Sequence, residues 1–159
     1  MSVLARPYKL RRGGSVPNRI VKSAMAEGLA DRSNHATSEH ARLYAQWAQG
    51  GAGLIITGNV MVSKSALAEP GNVVFDGSHP MAPLVAWAAS ATSAGGHAWV
   101  QINHPGRQVP RTMGVETVAP SAVPLEFGPA FRTPRALSDA EIQTIIGQFA
   151  NAAGIAQDA

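Results

Sequence analysis

The sequence contains no cysteine, which excludes disulfide bridges, thiolate metal sites and catalysis by a cysteine nucleophile. Charged residues make up only 14% of its 159 residues, well below the average of roughly a quarter. No apolar run approaches the ~20 residues that a membrane span needs, so no membrane association is expected. The 45% of hydrophobic residues excludes a disordered chain, and the length suits one domain. The low charge predicts elements buried on two sides, and the absence of cysteine fits a cytoplasmic location.

Acidic residues are missing from the first 26 positions, which hold six basic residues: Arg6, Lys9, Arg11, Arg12, Arg19 and Lys22. Such a segment is compatible with a transit peptide or with a nucleic-acid patch. Pro7 and Pro17 would interrupt any helix there, and aromatic residues that stack on bases are nearly absent. The sequence therefore favours a hairpin that turns at Gly13 and Gly14 and leads into the first strand, with no nucleic-acid partner.

Several motifs that carry chemistry are also missing. There is no Walker loop, no G-x-G-x-x-G and no H-E-x-x-H. The acids Asp139 and Glu141 stand at a predicted helix start and make poor glycosidase candidates. Four histidines share no metal-ligand spacing and are expected to be structural or solvent-facing: His35, His40, His79 and His97. No metal site is predicted.

The chain does contain three units in which a short apolar run precedes an amphipathic segment. The strands are predicted at residues 19–23, 53–57 and 97–103. The helices are predicted at residues 38–49, from Pro80 to the Gly95-Gly96 pair, and from Ser138 to the chain end. Trp47 and Trp87 fall at helical core spacing and are expected to pack in the interior. One side of the last helix is expected to carry Ile142, Ile145, Ile146, Phe149 and Ala153.

This alternation of strand and helix implies an α/β fold with a parallel sheet and right-handed crossovers. The loops after the strands are long and those after the helices are short, which places a functional site at the carboxyl ends of the strands. Three strands cannot close a barrel, and their edges would lack partners. We therefore interpret residues 1–159 as one incomplete domain. It would supply the first three βα units of a (β/α)8 TIM barrel, preceded by the hairpin, and a fourth strand is expected to follow.

Polar or small residues follow each predicted strand. Gln101 and Asn103 end the third, and the carboxamide of Gln101 offers both a donor and an acceptor to a ring edge that alternates carbonyl and N–H groups. Gly58 and Asn59 end the second strand, where glycine allows a close backbone approach and Asn59 can bond a heteroatom. The small residues Ser23, Ala24 and Ala26, together with Met25, follow the first strand and would let a flat ligand approach the backbone. For each group an ordinary structural role is the alternative: backbone bonding for Gln101, an Asx turn for Asn59, and a packed turn for the first segment.

Two further residues lie in the Pro-Gly turn after the third strand. Arg107 could hold an anion or a polar ring, or could fix its own loop by bonding carbonyl groups. His104 is expected to fix the loop rather than to act as a catalytic base.

These segments together resemble the Old Yellow Enzyme family of NADH:flavin oxidoreductases, and the resemblance runs over nearly the whole chain. It rests on five motifs in the family's order, residues 18–21 (NRIV), 23–25 (SAM), 50–59 (GGAGLIITGN), 101–107 (QINHPGR) and 119–122 (APSA), followed by the helix at 137–156. A (β/α)8 barrel is implied by the resemblance as well as by the strand and helix pattern.

The resemblance implies FMN as cofactor. Ser23, Ala24, Met25 and Ala26 match the stretch along the isoalloxazine, Asn59 matches a position beside it, and Gln101 matches the glutamine on its pyrimidine edge. It also implies that NADH or NADPH gives a hydride to the flavin, which passes it to an activated alkene of the α,β-unsaturated carbonyl type.

The chain departs from the family's pattern in three respects. Ala26 stands where many members carry Cys or Thr, and Gly28 stands where some carry an aromatic substrate contact. The histidine pair, the tyrosine proton donor and the phosphate loops of the family lie beyond residue 159, so no catalytic residue is assigned here. We therefore expect the isolated chain to bind FMN weakly and to be inactive, unless a complementary C-terminal part completes the barrel in trans.

The sequence leaves two other interpretations open. The chain could be a non-catalytic fragment or pseudoenzyme that binds a partner through its open sheet edge. A homo-oligomer is a separate expectation. A different barrel enzyme, such as an aldolase, would need a Schiff-base lysine, and Lys22 is the only lysine in a predicted strand.

Overall fold

The computed structural model describes residues 2–159, and their first feature is the predicted hairpin. β1 (Tyr8–Lys9) and β2 (Ser15–Val16) pair antiparallel. Gly13 and Gly14 both have positive φ angles, 99° and 78°, which residues with a Cβ adopt only at a cost. The hairpin prediction is therefore confirmed, and the two glycines explain where the chain reverses.

A sheet of four parallel strands forms the centre of the fold: β3 (Val21–Lys22), β4 (Leu54–Met61), β5 (Val73–Val74) and β6 (His97–Asn103). β4 pairs with β3 through its first residues, with β5 through its last, and with β6 along its length. The third predicted strand coincides with β6, whereas β3 is shorter than predicted.

The prediction that the second strand ends at Thr57 is wrong. β4 continues to Met61, so Gly58 and Asn59 lie inside the strand rather than at its end. The register with β6 shifts between Ile56 and Asn59, which marks a β-bulge. The strand resumes after the bulge because Val60 and Met61 are buried and pair with both neighbouring strands.

Three helices follow the three principal strands: α1 (Ser38–Gln49), α2 (Met81–Thr92) and α3 (Asp139–Asp158). α1 has the predicted bounds. α2 begins one residue later than expected, because Pro80 keeps an extended backbone and precedes the first turn. The capping box of α3 is present: Ser138 N–H donates to Glu141 at 2.8 Å and Glu141 N–H donates to Ser138 Oγ at 3.4 Å. No helix among residues 2–159 is both long and apolar enough to cross a membrane.

The loop between β6 and α3 carries a short parallel pair that sequence patterns did not predict. It consists of β7 (Val118–Ala119) and β8 (Arg135–Ala136). The Arg135 guanidinium lies between Glu116 and Glu141, at 2.7 Å from each carboxylate, and thereby joins the loop to the first turn of α3.

The core lies between the sheet and the helices. Its largest buried side chains are Tyr44, Ile55, Phe75, Leu84 and Trp87. The packing prediction for the two tryptophans is confirmed, since the rings of Trp47 and Trp87 lie 4.9 and 5.2 Å from that of Tyr44. The face predicted for α3 is only partly correct: Ala152 is buried, while Ile146, Phe149 and Ala153 are exposed. Ile142 and Ile145 are half-buried, and the residues of α3 that join the core cluster are Ala152, Ile155 and Ala156.

Candidate flavin site at the carboxyl ends of the strands

The predicted ligand residues of the second and third strands lie side by side. Asn59 on β4 and Gln101 on β6 are register partners just after the bulge. The Gln101 side-chain amide donates to Asn59 Oδ1. Backbone bonding, the alternative expectation for Gln101, is therefore not what the structure shows. The two carboxamides form one polar group on an accessible part of the sheet.

The segment after β3 lies directly against the bulge of β4. A Cβ added to Gly58 would come within 2.9 Å of Ala26 Cα and closer still to the carbonyl oxygen of Met25. A residue with a side chain at position 58 would therefore overlap this segment. Ser23, Met25 and Ala26 are exposed, Met25 to 52%, and Ala24 is half-buried. The structure thus places Met25 and Ala26 against β4 next to Asn59, which pairs with Gln101, while Ser23 and Ala24 precede them in the same segment.

An acidic residue that sequence patterns missed also belongs to this region. Glu27 Oε1 accepts a hydrogen bond from Gly58 N–H at 2.9 Å and another from the Tyr44 hydroxyl. Burial and the neighbouring carboxylate raise the pKa of Tyr44 well above its usual range, so the phenol stays a donor. The signal available in the sequence was position: Glu27 is the first acid after 26 residues without one.

Lys22 points to the helices and not to the mouth of the sheet. Its Nζ donates to the carbonyl of Ile56 at 2.9 Å and lies 4.2 Å from the centre of the Trp47 ring. Burial lowers the pKa of Lys22. A lysine held in this way stabilises the packing of α1 on the sheet, which argues against a Schiff-base role.

The turn after β6 is held by its own polar residues. His104 Nδ1 accepts from Gly106 N–H at 3.1 Å, and burial lowers the pKa of His104. Arg107 donates to the carbonyl groups of Val123 and Pro124 at 3.1 and 3.4 Å. Of the two roles considered for Arg107, the structure shows the loop-fixing one, and it shows the same for His104.

The remaining histidines also have structural roles. The Nε2 atom of His79 accepts from Ala36 N–H at 2.6 Å, and His40 Nδ1 accepts from Thr37 N–H at 3.1 Å. His97 Nε2 lies 3.0 Å from the carbonyl oxygen of Ser15, and the ring of His35 lies 4.7 Å from that of His79. In the part of the chain that the structure describes, no three metal-ligating side chains cluster.

One cavity lies apart from this site. It has a volume of about 380 Å³ and lies under the loop between β6 and α3, where its wall includes His104, Glu116, Arg135 and Glu141. None of the six predicted residues lines it. The charges in its wall are already paired with one another.

Comparison with known proteins identifies the family. Residues 4–159 match the NADH:flavin oxidoreductase / NADH oxidase family, to which the chain therefore belongs. The resemblance to Old Yellow Enzyme proteins is confirmed by this match and by the structures that the chain resembles. An Old Yellow Enzyme homologue from Zymomonas mobilis is 27% identical, with a TM-score of 0.83 over 98% of this chain and 45% of that one. Morphinone reductase in complex with tetrahydroNAD gives 25% identity and a TM-score of 0.81 over 99% of this chain and 47% of that one.

Two curated relatives also match the chain. An NADH-dependent flavin oxidoreductase of Hypocrea jecorina is 37% identical over 94% of this chain and 42% of its own length. An NADH oxidase of Thermoanaerobacter brockii is 36% identical over 87% of this chain and 21% of its own length. The chain thus spans less than half of the relatives it matches. The fold is that part of a TIM barrel which contains the first three βα units, and residues 2–159 form an open sheet.

Proposed function

We propose that this chain supplies one wall of an FMN site in an oxidoreductase of the Old Yellow Enzyme type. The observation that carries the proposal is that the segment after β3 lies against the C-terminal half of β4, with Met25 and Ala26 against Gly58, and that Asn59 on β4 is bonded to Gln101 on β6. When bound, the flavin would supply hydride transfer from NADH or NADPH to an activated alkene such as an α,β-unsaturated carbonyl. The complete reaction belongs to a longer protein than these 159 residues.

Within this site the chain's own residues bind and orient. The carboxamides of Asn59 and Gln101 offer donors and acceptors together, which suits the alternating carbonyl and N–H groups of a pyrimidine edge. The exposed side chain of Met25 offers a soft apolar surface to a planar ring. Ser23, Ala24 and Ala26 are small enough for a ring to approach the backbone and its N–H groups.

The residues present fit the cofactor, with two departures that concern tuning and substrate. Ala26 has no hydroxyl or thiol, so its side chain cannot donate a hydrogen bond to a flavin oxygen. Gly28 cannot provide an aromatic substrate contact. We therefore expect flavin binding to depend on the two carboxamides and on backbone groups, with an enone-type substrate held mainly by other parts of the protein.

The proposal is tested by titrating the 159-residue chain with FMN and following the flavin fluorescence. Gln101→Ala and Asn59→Ala should each raise the Kd about fivefold, which corresponds to the ~1 kcal/mol of one net hydrogen bond. Gln143→Ala, which removes an exposed carboxamide from α3, is the matched control and should leave the Kd unchanged. Equal affinity in all four proteins, or no FMN binding at millimolar concentration, would refute the proposal.

Turnover is expected only from a completed barrel. The isolated chain should bind FMN too weakly to keep it through gel filtration and should not oxidise NADH with an enone present. Adding the complementary C-terminal part of the barrel should restore both properties. Flavin that stays with the isolated chain through gel filtration would contradict this expectation.

The cytoplasmic location and any homo-oligomer remain predictions.

A second candidate function is partner binding without catalysis. It is favoured by the outer edge of β6, which no strand within residues 2–159 covers, and by Trp99 on that strand, which is 47% exposed. The same mixing experiment separates the two functions. Complex formation without yellow colour or NADH oxidation would indicate a binding role only.

A further inference from the structure

The Glu27 carboxylate lies beside Gly58, in space that a side chain at position 58 would otherwise fill. A Cβ at Gly58 would overlap the Glu27 carboxylate oxygen Oε2 as well as the carbonyl oxygen of Met25. The glycine thus leaves room beside β4, and the carboxylate from the neighbouring segment takes it. Glu27 is half-buried there, at the edge of the accessible region.

The carboxylate joins three elements at one point. It belongs to the segment after β3, and it accepts from Gly58 N–H on β4 and from the Tyr44 hydroxyl on α1. Gly58 N–H also lies 3.3 Å from the Tyr44 oxygen, so the three groups form a closed set. Hydrogen bonds to an ionised acceptor are stronger than neutral ones.

The Tyr44 end of this set is packed in the core. Tyr44 is 0% exposed, and its ring makes edge contacts with Trp47 and Trp87 at 4.9 and 5.2 Å. This packing determines where the Tyr44 hydroxyl lies on α1. By accepting a hydrogen bond from it, Glu27 ties the segment that carries Met25 and Ala26 to the helix.

We propose that Glu27 is a positioning residue: it sets the distance between the segment Ser23–Ala26 and the carboxamides of Asn59 and Gln101. This inference rests on the proposed FMN site. Glu27 follows Ala26 directly in the chain. Loss of its hydrogen bonds to Gly58 and Tyr44 should therefore let Met25 and Ala26 move away from the bulge of β4. Glu27 acts through the backbone of Met25 and Ala26.

The first readout needs no flavin. Hydrogen exchange of the Gly58 amide, followed by NMR in the 159-residue chain, reports the Glu27 bond directly. Glu27→Ala should accelerate this exchange at least tenfold, and Glu27→Gln, which keeps an acceptor oxygen, should restore most of the protection. Glu39→Ala removes an exposed carboxylate from α1 and should change nothing. Unchanged Gly58 exchange in Glu27→Ala would overturn the proposal.

The second readout is FMN affinity, measured where every variant is folded. Glu27→Ala should raise the Kd five- to tenfold and Glu27→Gln about twofold. Val16→Ala, which removes buried methyl groups from the N-terminal hairpin and lies outside the core cluster that contains Tyr44, should lower the Tm without raising the Kd. Faster Gly58 exchange with an unchanged Kd would show that Glu27 is structural only and would overturn the positioning role. Failure of the FMN site itself shows separately, as a Kd that Gln101→Ala does not change.

Discussion

The two faces of the parallel sheet differ in how much of them is covered. On the helix side, Ile55 and Val60 are buried under Tyr44 and Trp87. On the other side, β6 presents exposed residues at every second position, and Trp99 and Gln101 are among them. The buried contacts that stabilise the chain therefore lie on the first face, and the accessible polar groups of the candidate site lie on the second. In a TIM barrel this second face lines the interior.

The largest expected effect contrasts one tryptophan from each face. Trp87 is 5% exposed and Trp99 is 47% exposed. Trp87→Ala should lower the free energy of unfolding by about 3–5 kcal/mol, because it leaves a cavity among well-packed aromatic rings. Trp99→Ala should change it by roughly 0.5 kcal/mol or less. Urea denaturation followed by circular dichroism measures both. Similar losses for the two variants would contradict the difference between the faces.

An intermediate effect contrasts two glycines. Gly58→Ala should cost about 1–3 kcal/mol, since the new methyl group overlaps Met25 and Glu27. Gly147 lies in α3 with nothing within 4 Å of the added Cβ. Gly147→Ala should stabilise the chain by about 1 kcal/mol through helix propensity. The same denaturation measurement applies, and a neutral Gly58→Ala would show that the bulge is not tightly packed.

The smallest effect is a pH dependence confined to the covered face. Burial lowers the pKa of His40 and of His79, and the His40 ring lies 4.7 Å from that of Trp87. Below the unfolded pKa of about 6.5 the unfolded chain binds more protons, so the free energy of unfolding should fall as the pH drops from 7.5 towards 5.

Each histidine can be tested separately. His40→Gln and His79→Gln should flatten the pH dependence between 7.5 and 5, even where they lower the stability at neutral pH. Denaturation curves at several pH values provide the measurement. An unchanged slope in both variants would assign the acid sensitivity to other groups.

Regular elements were predictable where the local pattern and the tertiary packing agree. Both α1 and β6 have the predicted bounds because their periodicity continues to a glycine or a polar turn. The end of β4 was not predictable, because a glycine and an asparagine normally end a strand. Only the pairing of Val60 and Met61 with neighbouring strands carries it further.

The polar residues of the candidate site were predictable, and the residue that supports them was not. Family motifs indicated Asn59 and Gln101 by residue type, and the structure places them together. Glu27 was missed because its two donors come from Tyr44 and Gly58, which are 17 and 31 residues away. The β7–β8 pair was missed for a different reason: two strands of two residues have no period to detect.

The mutual hydrogen bond of Asn59 and Gln101 has a consequence for selectivity. Each carboxamide already satisfies part of the other, so an incoming molecule competes with an existing partner and not merely with water. A compound with acceptors alone would take the Gln101 amide and leave the Asn59 oxygen without that donor. A compound with donors alone would take the Asn59 oxygen and leave the Gln101 amide without that acceptor. If the proposed site is correct, a ligand edge that offers both donors and acceptors should therefore bind better than one that offers only one kind.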